Sequence, residues 1–259
     1  MLAIERQRMI LDRVVTESSI RVVDLADSLH VSGETIRRDL LALEQQGLVR
    51  RVHGGAVDAR QDAGDRLFQE RETIRIEEKR AIGLRAAELV QDGDIIAVDV
   101  GTTALVFCEA LRSKRRLTVI TPSIKAALLL RQTSDARVIV TGGELQEDEP
   151  YLAGYLAEAA LRQFHVTRAF ISAGGIALDT GITDYHDGEV QMRKVMLQCA
   201  SQVTVLADSS KMGVRAFAVV GPLRLMDTLI TDAGLHSSMQ QKLEQLGIEV
   251  LVAEVPVRK

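Results

Sequence analysis

Short segments of this chain combine small, hydroxylic and charged residues in a way that suits binding of an oxyanion. Asp99-Val100-Gly101-Thr102-Thr103, Thr121-Pro122-Ser123, Thr141-Gly142-Gly143, Ala173-Gly174-Gly175 and Asp208-Ser209-Ser210-Lys211 each follow a run of aliphatic residues. Glycine and hydroxyl residues at such a turn expose backbone N–H groups, and a helix start behind them favours a negative charge. Asp99 and Asp208 can accept from ligand hydroxyls and Lys211 can pair with a phosphate. Gly101, Thr102, Thr103, Thr121, Ser123, Gly142 and Gly143 supply donors. Any one of these loops is equally a set of helix caps and turns, and Gly101-Thr102-Thr103 lacks the Walker lysine spacing. Several loops meeting at one sheet edge make an anion pocket. Asp179 to Glu189, which contains Asp184, is rich in acceptors and reads as a loop that can close over a polyol. The plainer alternative there is an exposed loop, with Glu189 and Arg193 at ion-pair spacing.

A different chemistry lies nearer the N-terminus, where Val31 to Leu40 reads Val-Ser-Gly-Glu-Thr-Ile-Arg-Arg-Asp-Leu. Ser32 is a good N-cap, since its hydroxyl can accept an unpaired backbone N–H, and Glu34 suits the first turn. Ile36, Leu40 and Leu43 recur at i, i+4 and i+7, which predicts one buried stripe. That stripe turns Glu34, Thr35 and Arg38 away from the core and sets Arg37 on a flank. Arginine can bridge guanine O6 and N7, and threonine can meet a thymine methyl or a phosphate, so this face suits a DNA major groove. Asp39 is a poor DNA contact and is expected to pair with a nearby arginine. Beyond Gly47, which closes the helix, Leu48 to Val57 places two β-type runs around a glycine pair. This predicts a hairpin that aims Arg50, Arg51 and His53 at phosphate backbone. Residues 1–60 hold nine Arg and nine Asp or Glu, so positive charge is local, at 37–38 and 50–51, rather than bulk.

The elements that must position these residues fall into two groups. Glu5 to Thr16 reads as a first helix, and Val22, Val23, Leu25, Ala26 and Leu29 carry a second. With the hairpin they make a winged helix-turn-helix over residues 1–58. Asp58 to Arg66 is polar and aperiodic, and a linker is expected over 59–72. Phe68 to Val90 reads as one helix with Ile82, Ala86 and Leu89 on a single face and its many charges in solvent. Strands are expected at Ile95 to Val98, Leu117 to Ile120, Val138 to Val140, Ala169 to Ser172, Val203 to Ala207, Thr228 to Ile230 and Glu249 to Val252. Helices between most of them include Ala104 to Leu111, Ser123 to Arg131, Gly154 to Phe164, Glu189 to Ala200 and Ser238 to Leu246. Such alternation predicts an α/β domain with a mainly parallel sheet, here over 73–259, whose ligands bind outside the carboxyl ends of the strands.

Composition narrows the functions available. The 259 residues are 46% hydrophobic, enough for a real core, but only 3% aromatic with no Trp, so no aromatic platform for single-stranded nucleic acid is at hand. A formal charge of -4 argues against a general nucleic-acid coat. Cys108 and Cys199 sit in apolar helical contexts and read as buried thiols, and the five His show no ligand spacing. Charges at Glu5, Arg6 and Arg8 exclude a signal-peptide core at that position, and no apolar run approaches the ~20 residues of a membrane span. No catalytic residue, metal ligand or cofactor is assigned, and a cytoplasmic protein without a membrane partner is expected.

Three linked motifs resemble the DeoR family of bacterial transcription regulators: Ser32 to Leu40, Glu44 to Leu48, and the His-Gly-Gly-Ala run of His53 to Ala56. The resemblance extends to Asp99 to Thr103, Gly142 to Glu144 and Asp208 to Gly213, and so covers essentially the whole chain. It implies a sensor domain similar to sugar-phosphate isomerase and CoA-transferase folds, and a phosphorylated sugar or related intermediate as effector. The chain departs from the family pattern at Pro122, at Met212 and at His186-Asp187-Gly188, so the pocket is tuned to a different ligand from that of the commonest members.

The expected function is therefore a repressor of a carbohydrate catabolic operon. It would bind double-stranded operator DNA as a homodimer or homotetramer, with an effector in the second domain altering its fit to DNA. The alternatives are an isomerase-like enzyme carrying a DNA-binding head, with Asp99, Asp208, Glu189 and Lys211 as acid-base groups, and a regulator whose second domain serves assembly alone.

Overall fold

Aliphatic stripes build both halves of the structure. The computed structural model describes residues 3–17, 19–45, 48–52, 54–58, 68–146 and 149–255. The first half runs α1 (Ala3–Glu17), β1 (Ser19–Arg21), α2 (Val22–Leu29), α3 (Gly33–Gln45), β2 (Val49–Val52) and β3 (Gly55–Asp58). Ile36, Leu40 and Leu43 of α3 are buried in one cluster with Leu25 and Leu29 of α2 and Ile10 and Val14 of α1. Each such side chain stabilises by roughly 1.5–3 kcal/mol. Val23 is exposed, because it leaves the face of α2 that carries Val22, Leu25 and Leu29. Ser32 caps α3 by accepting the Thr35 N–H at 3.2 Å, and the buried Asp39 pairs with Arg6. β2 and β3 form the antiparallel wing, with β1 on the other side of β3. Gly47, His53 and linker residues 59–67 lie outside the described residues, as does the side chain of Arg50.

The second half begins with a departure from expectation. The single helix read over 68–90 is two, α4 (Phe68–Thr73) and α5 (Ile76–Glu88), broken where Arg75 takes a left-handed conformation at φ 53°. That conformation is costly for a non-glycine residue. Ion pairs from Arg75 to Glu78, Asp208 and Asp232, at 3.1–3.3 Å, hold it in place. There follow β4 (Ile95–Val98), α6 (Thr102–Ala110), β5 (Thr118–Thr121), α7 (Ile124–Thr133), β6 (Arg137–Val140), β7 (Glu144–Leu145), β8 (Leu152–Ala153) and α8 (Tyr155–Leu161). The chain continues through β9 (Val166–Ser172), β10 (Gly175–Ala177), β11 (Gly181–Asp184), α9 (Asp187–Cys199), β12 (Ala200–Leu206), β13 (Ala218–Gly221), β14 (Thr228–Asp232), α10 (Ser237–Gln245) and β15 (Glu249–Ala253).

The seven expected strands all join one parallel sheet, in the order β6-β5-β4-β9-β12-β14-β15. Their period-two alternation sorts side chains between two layers. Ile96, Val98, Val119, Phe170, Leu206 and Ile230 pack with α5, α6 and α7. Ala97, Ile120, Ala169, Ile171, Val205 and Leu229 pack with α8, α9 and α10. The direction of chain progression reverses between β4 and β9, and open sheets leave a ligand crevice at such a point. Cys108 and Cys199 are free and buried. No described helix is long and apolar enough to cross a membrane.

A small antiparallel sheet, β10-β11-β13, packs against α9. It corrects the reading of Asp179 to Glu189 as a loop: Gly181–Asp184 is a strand buried throughout. The Glu189–Arg193 pair is likewise buried rather than surface-exposed. The Arg193 guanidinium meets Asp99 at 2.5 Å, Asp184 at 2.6 Å and Glu189 at 2.6 Å, with all four side chains nearly inaccessible. It thereby ties the end of β4 to β11 and α9. Removing one partner of a buried pair costs about 3–5 kcal/mol, so Arg193→Met should lose at least about 3 kcal/mol in urea unfolding at pH 7. The deficit should shrink toward pH 5, as the stranded carboxylates take up protons in the folded state. A loss under about 1 kcal/mol would contradict the role given to Arg193.

Candidate functional site

The loops after β4, β9 and β12 open onto one cavity of about 550 Å3 at the carboxyl ends of the strands. Gly101, Thr102 and Thr103 line it from the start of α6, Ser172 and Gly174 from the end of β9, and Asp208, Ser210 and Lys211 from beyond β12. Asp184 and Arg193 form part of one wall, and α4 and α5 contribute Arg71, Arg75 and Lys79. Gly101 makes the turn into α6 at φ 107°, where a Cβ would stand 3.1 Å from the Ser172 Oγ. A glycine meets both demands without strain.

Among the described residues of this wall, Arg71 Nε and Ser172 Oγ are buried with neither a hydrogen bond nor an ion pair, while Arg75 Nε and Arg193 Nη1, also without a hydrogen bond, keep ion-pair contacts. Such atoms cost about 1–3 kcal/mol each until an acceptor reaches them. Lys79 Nζ donates to the Arg71 carbonyl oxygen. Burial pushes Lys79 down to about 8, with the attraction of Asp208 opposing. Burial also lowers Lys211, again against Asp208. The cavity thus keeps cations in place against desolvation, an arrangement that suits an anionic ligand. Behind Gly101 lies the buried Glu149, whose carboxylate accepts the Gly101 N–H at 2.8 Å and Arg71 Nη2 at 3.2 Å. Burial and the neighbouring Glu189 push Glu149 up to about 8, while Arg71 pulls the other way.

Of the residues expected at the effector site, Gly101, Thr102, Thr103, Asp184, Asp208 and Lys211 line the cavity, whereas Asp99, Thr121, Ser123, Gly142, Gly143 and Glu189 do not. Asp99 is fully buried, accepts the Ser172 N–H at 2.9 Å and pairs with Arg193; burial pushes it up to about 6. Glu189 is bound to the same guanidinium. Arg193 and burial act in opposite directions on Asp184: burial would raise it, but the guanidinium holds it below the usual carboxylate range. Thr121 Oγ1 accepts the Ser123 N–H at 3.0 Å and Ser123 caps α7 at 3.2 Å, so both serve local turns. Gly143 lies so close to β8 that a Cβ would stand 2.5 Å from the Ala153 oxygen, and Gly142 belongs to the same turn. The cations on α4 and α5 were expected in solvent. A signal did exist for Lys79, which stands three residues before Ile82 and seven before Ala86, on their buried stripe.

On the first half, Ser32 and Thr35 hydroxyls bond each other at 2.9 Å, Arg37 pairs with Glu34 at 3.2 Å, and Glu44 holds Arg51 at 2.8 Å. Arg38 is exposed and makes no ion pair among the described residues. Arg37 and Arg51 also border a cleft of about 640 Å3, whose other wall is Gln146, Tyr151 and Tyr185 to Gly188 of the α/β domain.

The family model of the DeoR C terminal sensor domain matches residues 74–233, and that of the DeoR-like helix-turn-helix domain matches residues 6–61. The chain belongs to the DeoR family. This DeoR-family chain is 40% identical over 259 residues to the HTH-type transcriptional regulator YulB of Bacillus subtilis (strain 168), covering 100% of this chain and 99% of that one. It is 34% identical to the HTH-type transcriptional regulator GolR of Listeria innocua serovar 6a, covering 98% and 100%, and 34% identical to the HTH-type transcriptional repressor GlcR of Bacillus subtilis (strain 168), covering 96% of each. Ribose 5-phosphate isomerase A from Methanocaldococcus jannaschii is a distant partial likeness, at 22% identity and TM-score 0.39 over 52% of this chain and 53% of that one. Family membership makes this DeoR-family chain a DNA-binding transcriptional regulator and sets the isomerase alternative aside.

Lys79 and Glu149 both change charge near pH 8, Lys79 losing a positive charge and Glu149 gaining a negative one as pH rises. Both changes oppose an anion. Sulfate, whose own charge is constant here, should bind several-fold more weakly at pH 9 than at pH 7 by calorimetry. Lys79→Arg combined with Glu149→Gln should flatten the profile, and a flat wild-type profile would remove both groups from the anion's surroundings.

Proposed function

We propose that this regulator represses a carbohydrate catabolic operon, and that a phosphorylated sugar or related intermediate in the cavity sets its hold on double-stranded operator DNA. The observation that carries the reading is the cation-lined cavity at the crossover between β4 and β9, with Arg71 Nε and Ser172 Oγ awaiting acceptors. Arg71, Arg75, Lys79 and Lys211, with the N–H groups of Gly101 to Thr103, receive the phosphate. Asp184 and Asp208 are acceptors for sugar hydroxyls. The relative GlcR, named as a repressor, supports that direction of control.

Residues 1–58 act as the reading head and 73–259 as the sensor; the connection, read over 59–72, ends in α4, whose Arg71 joins the sensor's cavity wall. In the head, Arg38 reads base edges from the exposed face of α3. Arg37, Arg50, Arg51 and His53 hold the phosphate backbone, with Ser32, Glu34 and Thr35 at the groove-facing end of the helix. Helix-turn-helix proteins occupy paired half-sites, so the working form is a homodimer or homotetramer assembled through the sensor, acting in the cytoplasm.

Two measurements test this. With an operator identified by genome-wide mapping of bound DNA, Arg38→Ala should lose about 1–3 kcal/mol of affinity while Arg51→Ala weakens all sequences alike. Unchanged, salt-insensitive binding by Arg38→Ala would reject the reading of α3. In a thermal-shift screen of phosphorylated sugars, at least one should stabilise the wild type and lose that effect in Lys211→Ala. No shift with any sugar phosphate would favour a sensor that serves assembly alone, and turnover of one would favour an enzyme.

A further inference from the structure

Glu149 is buried, yet both hydrogen-bond donors it has among the described residues belong to the cavity wall: the Gly101 N–H and Arg71 Nη2. Its other charged neighbours include Glu189 and Asp99, which repel it. Arg71 is the cation that keeps the carboxylate in place. The same guanidinium has an unpartnered buried Nε and lines the cavity. One side chain therefore stands between an internal acid and a chamber suited to an external one.

Glu149 also anchors a short strap. The Tyr151 N–H donates to the Glu149 carbonyl oxygen at 2.7 Å, and Ile124 N–H donates to the Pro150 oxygen at 3.0 Å. The Tyr151 side chain reaches the cleft that Arg37 and Arg51 border from the head, and its hydroxyl presses on Gly188, where a Cβ would come within 2.8 Å. Arg71 itself sits on α4, the first described element after the linker.

We propose that Glu149 is an internal anion that competes with an anionic effector for Arg71, and that the effector, by taking Arg71, releases the 149–151 strap and Tyr151 from the wall of the head-facing cleft. The inference rests on the anion-binding reading of the cavity given above. A phosphate that satisfies Arg71 Nε draws the guanidinium off Glu149. The carboxylate is then left among acids with the Gly101 N–H alone, and it swings toward water or takes up a proton. Both routes from sensor to head, the strap and α4, feel the same event.

The full-length protein can be tested with sulfate as the probe at pH 9, where Glu149, pushed up to about 8 by burial, carries its negative charge. Sulfate should raise amide hydrogen exchange over residues 149–153 in the wild type. Glu149→Gln, whose neutral amide competes poorly for Arg71, should bind sulfate several-fold more tightly and show raised exchange there before any sulfate is added. Arg71→Met should bind sulfate at least about tenfold more weakly, and adding Glu149→Gln to it should change affinity no further, since the competition is already gone. Glu149→Gln that is less stable but binds sulfate as the wild type does would overturn the latch. So would wild-type sulfate binding with unchanged exchange at 149–153, a result that needs no variant to fold. Failure of sulfate to bind the wild type at all would instead overturn the anion-site reading, and the latch with it.

Discussion

One guanidinium faces three carboxylates inside the sensor, and the walls of the cavity depend on that meeting. Arg193 comes from α9, Asp99 from the end of β4, Asp184 from β11 and Glu189 from one turn earlier on α9. A buried charge cluster of this kind contributes little net stability, because desolvation consumes most of the attraction. It contributes position instead. Asp99 also accepts the Ser172 N–H, so the ends of β4 and β9 are tied to each other across the crossover of the sheet. The three carboxylates are thereby committed to the framework, and of them Asp184 alone reaches the cavity lining, where Asp208 and the cations also stand.

Those cations need their own support. Arg71, Arg75 and Lys79 are delivered by two short helices rather than one, and the break between them costs a left-handed residue at Arg75. The same residue offsets the cost, since its guanidinium reaches Asp208 beyond β12 and Asp232 at the end of β14. Lys79 lies on the buried stripe of α5 with its ammonium capped by the Arg71 carbonyl oxygen. A desolvated ammonium with one neutral acceptor is poorly compensated. Such a group favours any ligand that brings negative charge.

The legible parts of the chain were those with a period. Ile36, Leu40 and Leu43, and the seven aliphatic strands, announce themselves because burial of one face imposes a spacing of 3.6 or 2. The loops after β4 and β12 were legible too, but only as a group, since the same residue types after β5 and β6 serve local caps and turns. What stayed hidden depends on long-range charge pairing. Nothing local distinguishes Glu189 on a surface from Glu189 against Arg193, since the deciding partners, Asp99 and Asp184, are distant in sequence. Arg71 and Arg75 sit in a run of alternating charges that reads as solvated, and only the fold brings Asp208, Asp232 and Glu149 to them. Gly181–Asp184 was hidden only in part for a related reason: its strand pairs with Ala218–Gly221, far along the chain, but also with the nearby Gly175–Ala177.

The cleft between head and sensor is walled by groups held with very unequal strength, and that inequality bears on where control resides. Moving a two-state equilibrium from 1:99 to 99:1 needs about 5.5 kcal/mol of differential binding. The exposed Arg37–Glu34 and Arg51–Glu44 pairs contribute about 1 kcal/mol at most each, and so cannot set the balance. Buried charge can, because removing one partner from a desolvated pair is worth several kcal/mol. Tyr185 lines both the cation-lined cavity and the head-facing cleft, and its N–H is bound to Asp184 at 2.7 Å, within the Arg193 cluster. That side of the cleft is held by a cluster too costly to break. The opposite side, where the backbone joins Tyr151 to Glu149 and the Glu149 carboxylate is held by Arg71 and the Gly101 N–H, is the side on which the proposed latch lets a ligand of ordinary affinity act.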